Sequence, residues 1–69
     1  MNLQVKLVET VPGREMRAWA VDAQGNHRNA DLGLPEDGVV ASYTTPAGRR
    51  TAEAALRQVV QERIEGAGA

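Results

Sequence analysis

Cysteine is absent from the 69 residues, so neither a disulfide nor a thiolate metal site can hold this chain together. Phenylalanine is absent too, and the aromatic complement is one Trp and one Tyr. One His with scattered carboxylates has no recognisable metal-ligand spacing, so no metal and no cofactor are expected. A charge excess of either sign is also missing: eight Lys+Arg stand against nine Asp+Glu, a net charge of −1. Nucleic-acid binders usually carry a basic surplus, which makes DNA or RNA the less favoured partner. No apolar run approaches membrane-spanning length, and Met1-Asn2-Leu3-Gln4-Val5-Lys6 lacks the charged-then-apolar order of a signal peptide. The expectation is a cytoplasmic protein without membrane contact.

What remains is short and aliphatic. Eight Val, five Leu, one Ile and eleven Ala must build the core of a single domain, 1–69, near the lower size limit for unstapled folding. A core this small leaves the folded state marginal, so a protein partner or a homodimer is a natural source of further stability. Seven of the eight basic residues are Arg, a bias expected of a GC-rich bacterial or phage genome more than of a chemical demand.

Periodicity predicts an α+β fold: an antiparallel sheet of three to four strands with one C-terminal helix packed on one face. Strands are expected over about 2–10, 15–22 and 39–45, with a short polar one over 27–32, and a helix over about 52–65. Leu3, Val5 and Leu7 alternate with polar residues, and Val11-Pro12-Gly13-Arg14 supplies a turn. Pairing Val11 with Arg14 sets Leu7 against Ala18 and Val5 against Ala20, with Met16 beside Glu9; two alanines then lie under the helix. Asp22-Ala23-Gln24-Gly25-Asn26 is a second turn and Gly33-Leu34-Pro35-Glu36-Asp37-Gly38 a loop. The Val39–Thr45 run has little alternation at its start and reads as a central strand covered on both faces. On the helix, Ala52, Ala55, Leu56, Val59, Val60 and Ile64 share one stripe. Thr51 reads as its N-cap, Glu53 and Arg57 as an i,i+4 pair, and Gly66 as its stop.

Few residues are left for chemistry. His27 has Asp22 and Asp31 nearby in sequence, but the only non-threonine hydroxyls are Ser42 and Tyr43, and a turn-side histidine is ordinarily solvated. Glu36-Asp37 and the Glu9/Glu15 pair would need a cleft to act as glycosidase carboxylates, and a single-layer sheet offers none. Gly48-Arg49-Arg50-Thr51 lacks the Lys and glycine spacing of a phosphate loop. Two binding surfaces remain. In the expected register Trp19 lies away from the helix with Lys6, Val8 and Val21, and Arg17 nearby, where an exposed Trp would anchor a protein interface. Alternatively Trp19 is core, beneath the helix. The second surface is a patch of Arg49, Arg50 and Arg57 against a phosphate backbone, blunted by Glu53 and Glu62.

The segment Asp31-Leu32-Gly33-Leu34-Pro35-Glu36-Asp37-Gly38-Val39-Val40, followed by Thr51-Ala52-Glu53-Ala54-Ala55-Leu56, resembles the HicB-type antitoxin domain. That family carries a DLPGC loop, a short strand and a T-x-E-E-A-L helix opening after two N-terminal strands. Here Glu36 and Asp37 precede Gly38, and the stretch to Thr51 is longer. The resemblance implies a β-β-β-α domain that binds and blocks a small toxin nuclease. The format is also similar to small phage inhibitors, anti-CRISPR proteins among them. The function expected is a small non-enzymatic protein-binding module, an inhibitor or antitoxin-like factor that occludes a partner surface. The alternative is a nucleic-acid-binding accessory protein using the arginines.

Overall fold

The computed structural model describes residues 2–68. Strand β1 (Gln4–Val11) turns into β2 (Glu15–Val21), and a 3-10 turn (Asn29–Leu32) leads to β3 (Val39–Ser42) and helix α1 (Pro46–Gly66). The fold is α+β: an open antiparallel sheet in the order β1-β2-β3, with α1 laid across one face.

The register expected around the hairpin holds, with Leu7 opposite Ala18 and Val5 opposite Ala20. The turn itself differs. Val11 pairs with Glu15, not Arg14, and a bulge between Val8 and Val11 takes up the extra residue, so Glu9 loses its regular place beside Met16. Pro12 followed by Gly13 at φ 74 makes a type II pattern, and the Arg14 N–H closes it on the Val11 carbonyl at 2.9 Å. Such turns splay the strands they join, and the bulge restores the pairing.

Other expectations are corrected. No strand spans 27–32: His27 makes a single bridge to Val21, and the polar run Asn29–Leu32 coils into the 3-10 turn. The Val39 strand is short and lies at the sheet edge, half-open, while β2 is central; Val40 is 49% exposed. The helix opens at Pro46 instead of Thr51, because Thr45 caps it, its Oγ1 accepting the Gly48 N–H at 3.0 Å. Proline at the first helical position has no N–H to lose, so the Pro46-Ala47-Gly48 run opens the helix ahead of Thr51. The earlier start brings Arg49 into the helix, and Glu53 pairs back to it instead of forward to Arg57. Gly66 stays helical, with Ala67 as cap and Gly68 left-handed at φ 76.

The core lies between sheet and helix. Ala52, Leu56, Val60 and Ile64 are buried against Met16, Ala18 and Ala20, with Leu32, Leu34 and Tyr43 closing the ends. The two alanines are fully covered, and their small side chains let α1 sit close to β2. Ala55 and Val59 flank this stripe and stay exposed, Val59 at 44%.

One polar residue is built into this core. Asn29 is 1% exposed. Its Oδ1 accepts the Ala20 N–H at 2.7 Å, and its Nδ2 donates to the carbonyls of Ala18 (3.2 Å) and Pro35 (2.9 Å). Strand β3 covers β2 only from Glu15 to Ala18, and the Asn29 amide continues the ladder where β3 stops.

Candidate functional site

The sheet face turned away from α1 carries Gln4, Lys6 and Val8 from β1, Arg17, Trp19 and Val21 from β2, and Val40 from β3. Lys6 stands directly opposite Trp19, and Val8 opposite Arg17, which itself faces Val40. All five residues expected to form a partner surface, Trp19, Lys6, Val8, Val21 and Arg17, are thus brought together on one face.

Trp19, however, fits neither alternative read from the sequence. It lies on the outer face, away from the helix, yet is only 9% exposed. The His27 ring stacks on it with centroids 4.6 Å apart, and its Nε1 donates to the Glu36 carbonyl at 3.0 Å. Gly38 folds over the indole so closely that a Cβ there would fall 2.9 Å from Cε2 and Cζ2. The loop between the 3-10 turn and β3 is therefore the cover, and the tryptophan is the base of the surface rather than its projecting anchor. Arg17 fastens the same loop, donating from Nη1 to the Asp37 carbonyl at 3.1 Å and from Nε to Glu15 at 3.2 Å. The Thr10 hydroxyl also donates to Glu15, and these bonds hold the Glu15 carboxyl below the usual range, Thr10 contributing most. What solvent meets is Lys6, the half-buried Val8, Val21 and Arg17, and the exposed Val40. Lys6 Nζ lies 3.4 Å from His27 Nε2.

A second polar cluster joins the hairpin end to the start of α1. Glu9 Oε2 accepts from the Tyr43 hydroxyl, from Arg49 Nε at 3.1 Å and from the Gly13 N–H at 3.2 Å, while Arg49 also pairs with Glu53. The Tyr43 bond, then Arg49 and Gly13, hold the Glu9 carboxyl below its usual range against an opposing burial effect. Burial, and then the Glu9 carboxylate, push the Tyr43 hydroxyl up; the Glu9 bond raises Arg49. An open depression of about 290 Å³ lies beside the cluster, lined by Gly13, Thr44, Thr45, Pro46 and the edges of Tyr43 and Arg49. With three donors already on one Glu9 oxygen, the group works as a clasp between elements. Nothing in the sequence spacing signalled it, since Glu9 and Tyr43 are 34 positions apart.

The arginine patch is not assembled as expected. Arg49 is consumed by Glu9 and Glu53, while Arg50 and Arg57 are exposed and make no ion pair among the described residues. His27 has Trp19 and Lys6 as neighbours, and Asp22 and Asp31 turn to Arg28 instead. Among the described residues no group of three His, Cys, Asp or Glu is placed to hold a metal ion, and no helix is long and apolar enough to cross a membrane. The chain matches no protein-family model, no curated protein and no solved structure.

Proposed function

We propose that this chain is a small non-enzymatic protein-binding module that occludes a partner's surface with the open face of its sheet. One observation carries the reading: α1 covers one face only, and the other presents Val8, Val21 and Val40 between the charged ends of Lys6 and Arg17. Aliphatic centres with a cationic rim suit a protein surface with apolar and acidic groups. Trp19 beneath, fixed by His27, Glu36 and Gly38, keeps that face rigid, so little ordering is lost on binding. An inhibitor or antitoxin-like role is the biological form we favour, and the resemblance to HicB-type domains supports it. A net charge of −1 and the engagement of Arg49 within the fold weigh against nucleic acid.

The test is a comparative capture from bacterial lysate, with and without nuclease treatment, using the wild-type chain, Val40→Glu and Arg50→Glu/Arg57→Glu. The expected result is one discrete protein held by the wild type and the arginine variant and lost with Val40→Glu, whose side chain is solvent-exposed. Binding that vanishes with nuclease or with the arginine substitutions would assign the chain to nucleic acid instead. Retention of the same protein by Val40→Glu would remove the sheet face from the interface.

A further inference from the structure

The hydrogen bonds of β2 determine which groups of β1 face outward. Ala20 gives its N–H to Asn29 Oδ1 at 2.7 Å and its carbonyl to the Arg28 N–H at 2.7 Å, and the Ala18 carbonyl accepts from Asn29 Nδ2 at 3.2 Å. Both alanines therefore point away from β1. Their partners Val5 and Leu7 then point away from β2, leaving N–H and C=O groups on the free edge at two-residue spacing. Leu3 continues the alternation. The side chains of Leu3, Val5 and Leu7 pack on the core from the helix side yet are only half-buried. The sheet has two edges: β3 offers only the four residues Val39–Ser42, whereas β1 offers eight with no strand beside them among the described residues.

We propose that a second copy of this chain pairs along this edge, β1 against β1, antiparallel about a two-fold axis at Val5. Residues directly opposite in such a pair share a face, so the axis must pass through a residue. Within the regular ladder, Gln4–Val8, three interior positions can carry it. An axis at Lys6 sets the two Lys6 side chains opposite each other, a like-charge contact. An axis at Leu7 sets Val5 against Glu9, whose carboxylate is held by Tyr43 and Arg49, and runs into the bulge. An axis at Val5 sets Val5 against Val5 and Leu3 against Leu7 on the helix side, with Gln4 against Lys6 on the outer face. This register covers all three half-buried aliphatic side chains and opposes no like charges. It joins two three-stranded sheets into one, with both helices on the same side. The inference stands apart from the proposed function, because it uses a different margin of the sheet and leaves the outer face free.

The seam is short beside a standard interface of about 800 Å² per partner, so association is reversible and concentration-dependent. Gln4 is exposed, which allows charge to be placed there without disturbing the core. Gln4→Glu puts a carboxylate opposite Lys6 twice per dimer, and Gln4→Lys puts two like charges there. Sedimentation velocity across micromolar to millimolar concentration is expected to show a monomer–dimer equilibrium, tightened about fivefold by Gln4→Glu and weakened about fivefold by Gln4→Lys. Added salt shrinks both effects. A synthetic chain methylated on the Val5 amide nitrogen, with unchanged circular dichroism, is expected to stay monomeric. A wild-type chain monomeric throughout, a dimer indifferent to both Gln4 substitutions, or one that survives N-methylation would each overturn the proposal.

Discussion

Gly38 lies against the Trp19 indole with no room for a side chain, a Cβ there falling 2.9 Å from two ring carbons. Its φ of 97° is in the region that favours glycine, so two separate constraints meet at this position. Gly13 shares only one of them: its φ is 74°, but nothing lies within 4 Å of an added Cβ. Gly13→Ala is expected to cost about 1–2 kcal/mol from the left-handed backbone alone. Gly38→Ala should cost distinctly more and shift Trp19 fluorescence to longer wavelength as the loop lifts. Equal urea midpoints for the two variants would show that the loop yields without strain.

Asn29 replaces a missing stretch of strand, and its removal is expected to open the sheet beside Ala20. Asn29→Leu preserves volume but strands the buried Ala20 N–H, at about 1–3 kcal/mol, and takes one of two donors from the Pro35 carbonyl, which keeps the Gly38 N–H. Asn29→Asp keeps an acceptor for Ala20 but turns a carboxylate toward two carbonyls, so that variant should regain stability on acidification. Hydrogen exchange at the Ala20 amide checks both. Protection at wild-type level in Asn29→Leu would mean that Ala20 finds another acceptor.

The hairpin and its alanine face were legible because alternation at Leu3, Val5 and Leu7 and a Pro-Gly turn are local signals. That register put Trp19 on the face away from the helix, one of the two placements the sequence left open. Its burial there was not legible, because the cover comes from Glu36, Gly38 and His27, brought in by tertiary folding of a loop. The helix start, expected at Thr51, lies earlier for a different reason: proline opens helices as readily as it ends them, and only the Thr45 cap shows that Pro46 opens this one. The edge placement of Val39–Ser42 was hidden by its apolar start, which half-buried edge and central strands share. Asn29 and the Glu9–Tyr43–Arg49 clasp depend on long-range contacts and left no pattern to read.

Leu56 is 3% exposed, at the centre of the buried helix stripe. Leu56→Ala is expected to cost about 2–5 kcal/mol, enough to unfold a domain of this size at ambient temperature. Val59→Ala, one residue from the buried stripe, removes an exposed side chain and should leave thermal unfolding almost unchanged. Similar losses from both would place the helix differently on the sheet.

The clasp gives stability a dependence on pH at both ends. The Glu9 carboxyl is depressed in the folded state, first by Tyr43, so its contribution is present above the unfolded carboxylate pKa and is lost as pH falls through the folded one. The Tyr43 hydroxyl is raised, first by burial, so its contribution is present below the unfolded phenol pKa and is lost as pH rises through the folded value. Glu9→Gln should flatten the acid limb of the stability profile. Tyr43→Phe should remove the alkaline limb and also weaken the acid one, since it takes away the strongest influence on Glu9. An acid limb unchanged in Glu9→Gln would assign it to other carboxylates, such as Glu15 and Asp22, which are also depressed.

Two threonines six residues apart separate the two placements of the helix start. Thr45 Oγ1 accepts the Gly48 N–H at 3.0 Å, satisfying a donor that has no partner within the first turn. Thr51 lies inside the helix, exposed, its hydroxyl donating back to the Ala47 carbonyl at 3.2 Å. Removing a cap costs about 1 kcal/mol, so Thr45→Ala should lower the urea midpoint clearly. Thr51→Ala should leave it unchanged or raise it slightly, since alanine is the better helix former and back-bonded threonine gains little from its hydroxyl. The reverse order would return the helix start to Thr51 and free Arg49 from the first turn. Glu9 would then lose the guanidinium that ties the hairpin to the helix.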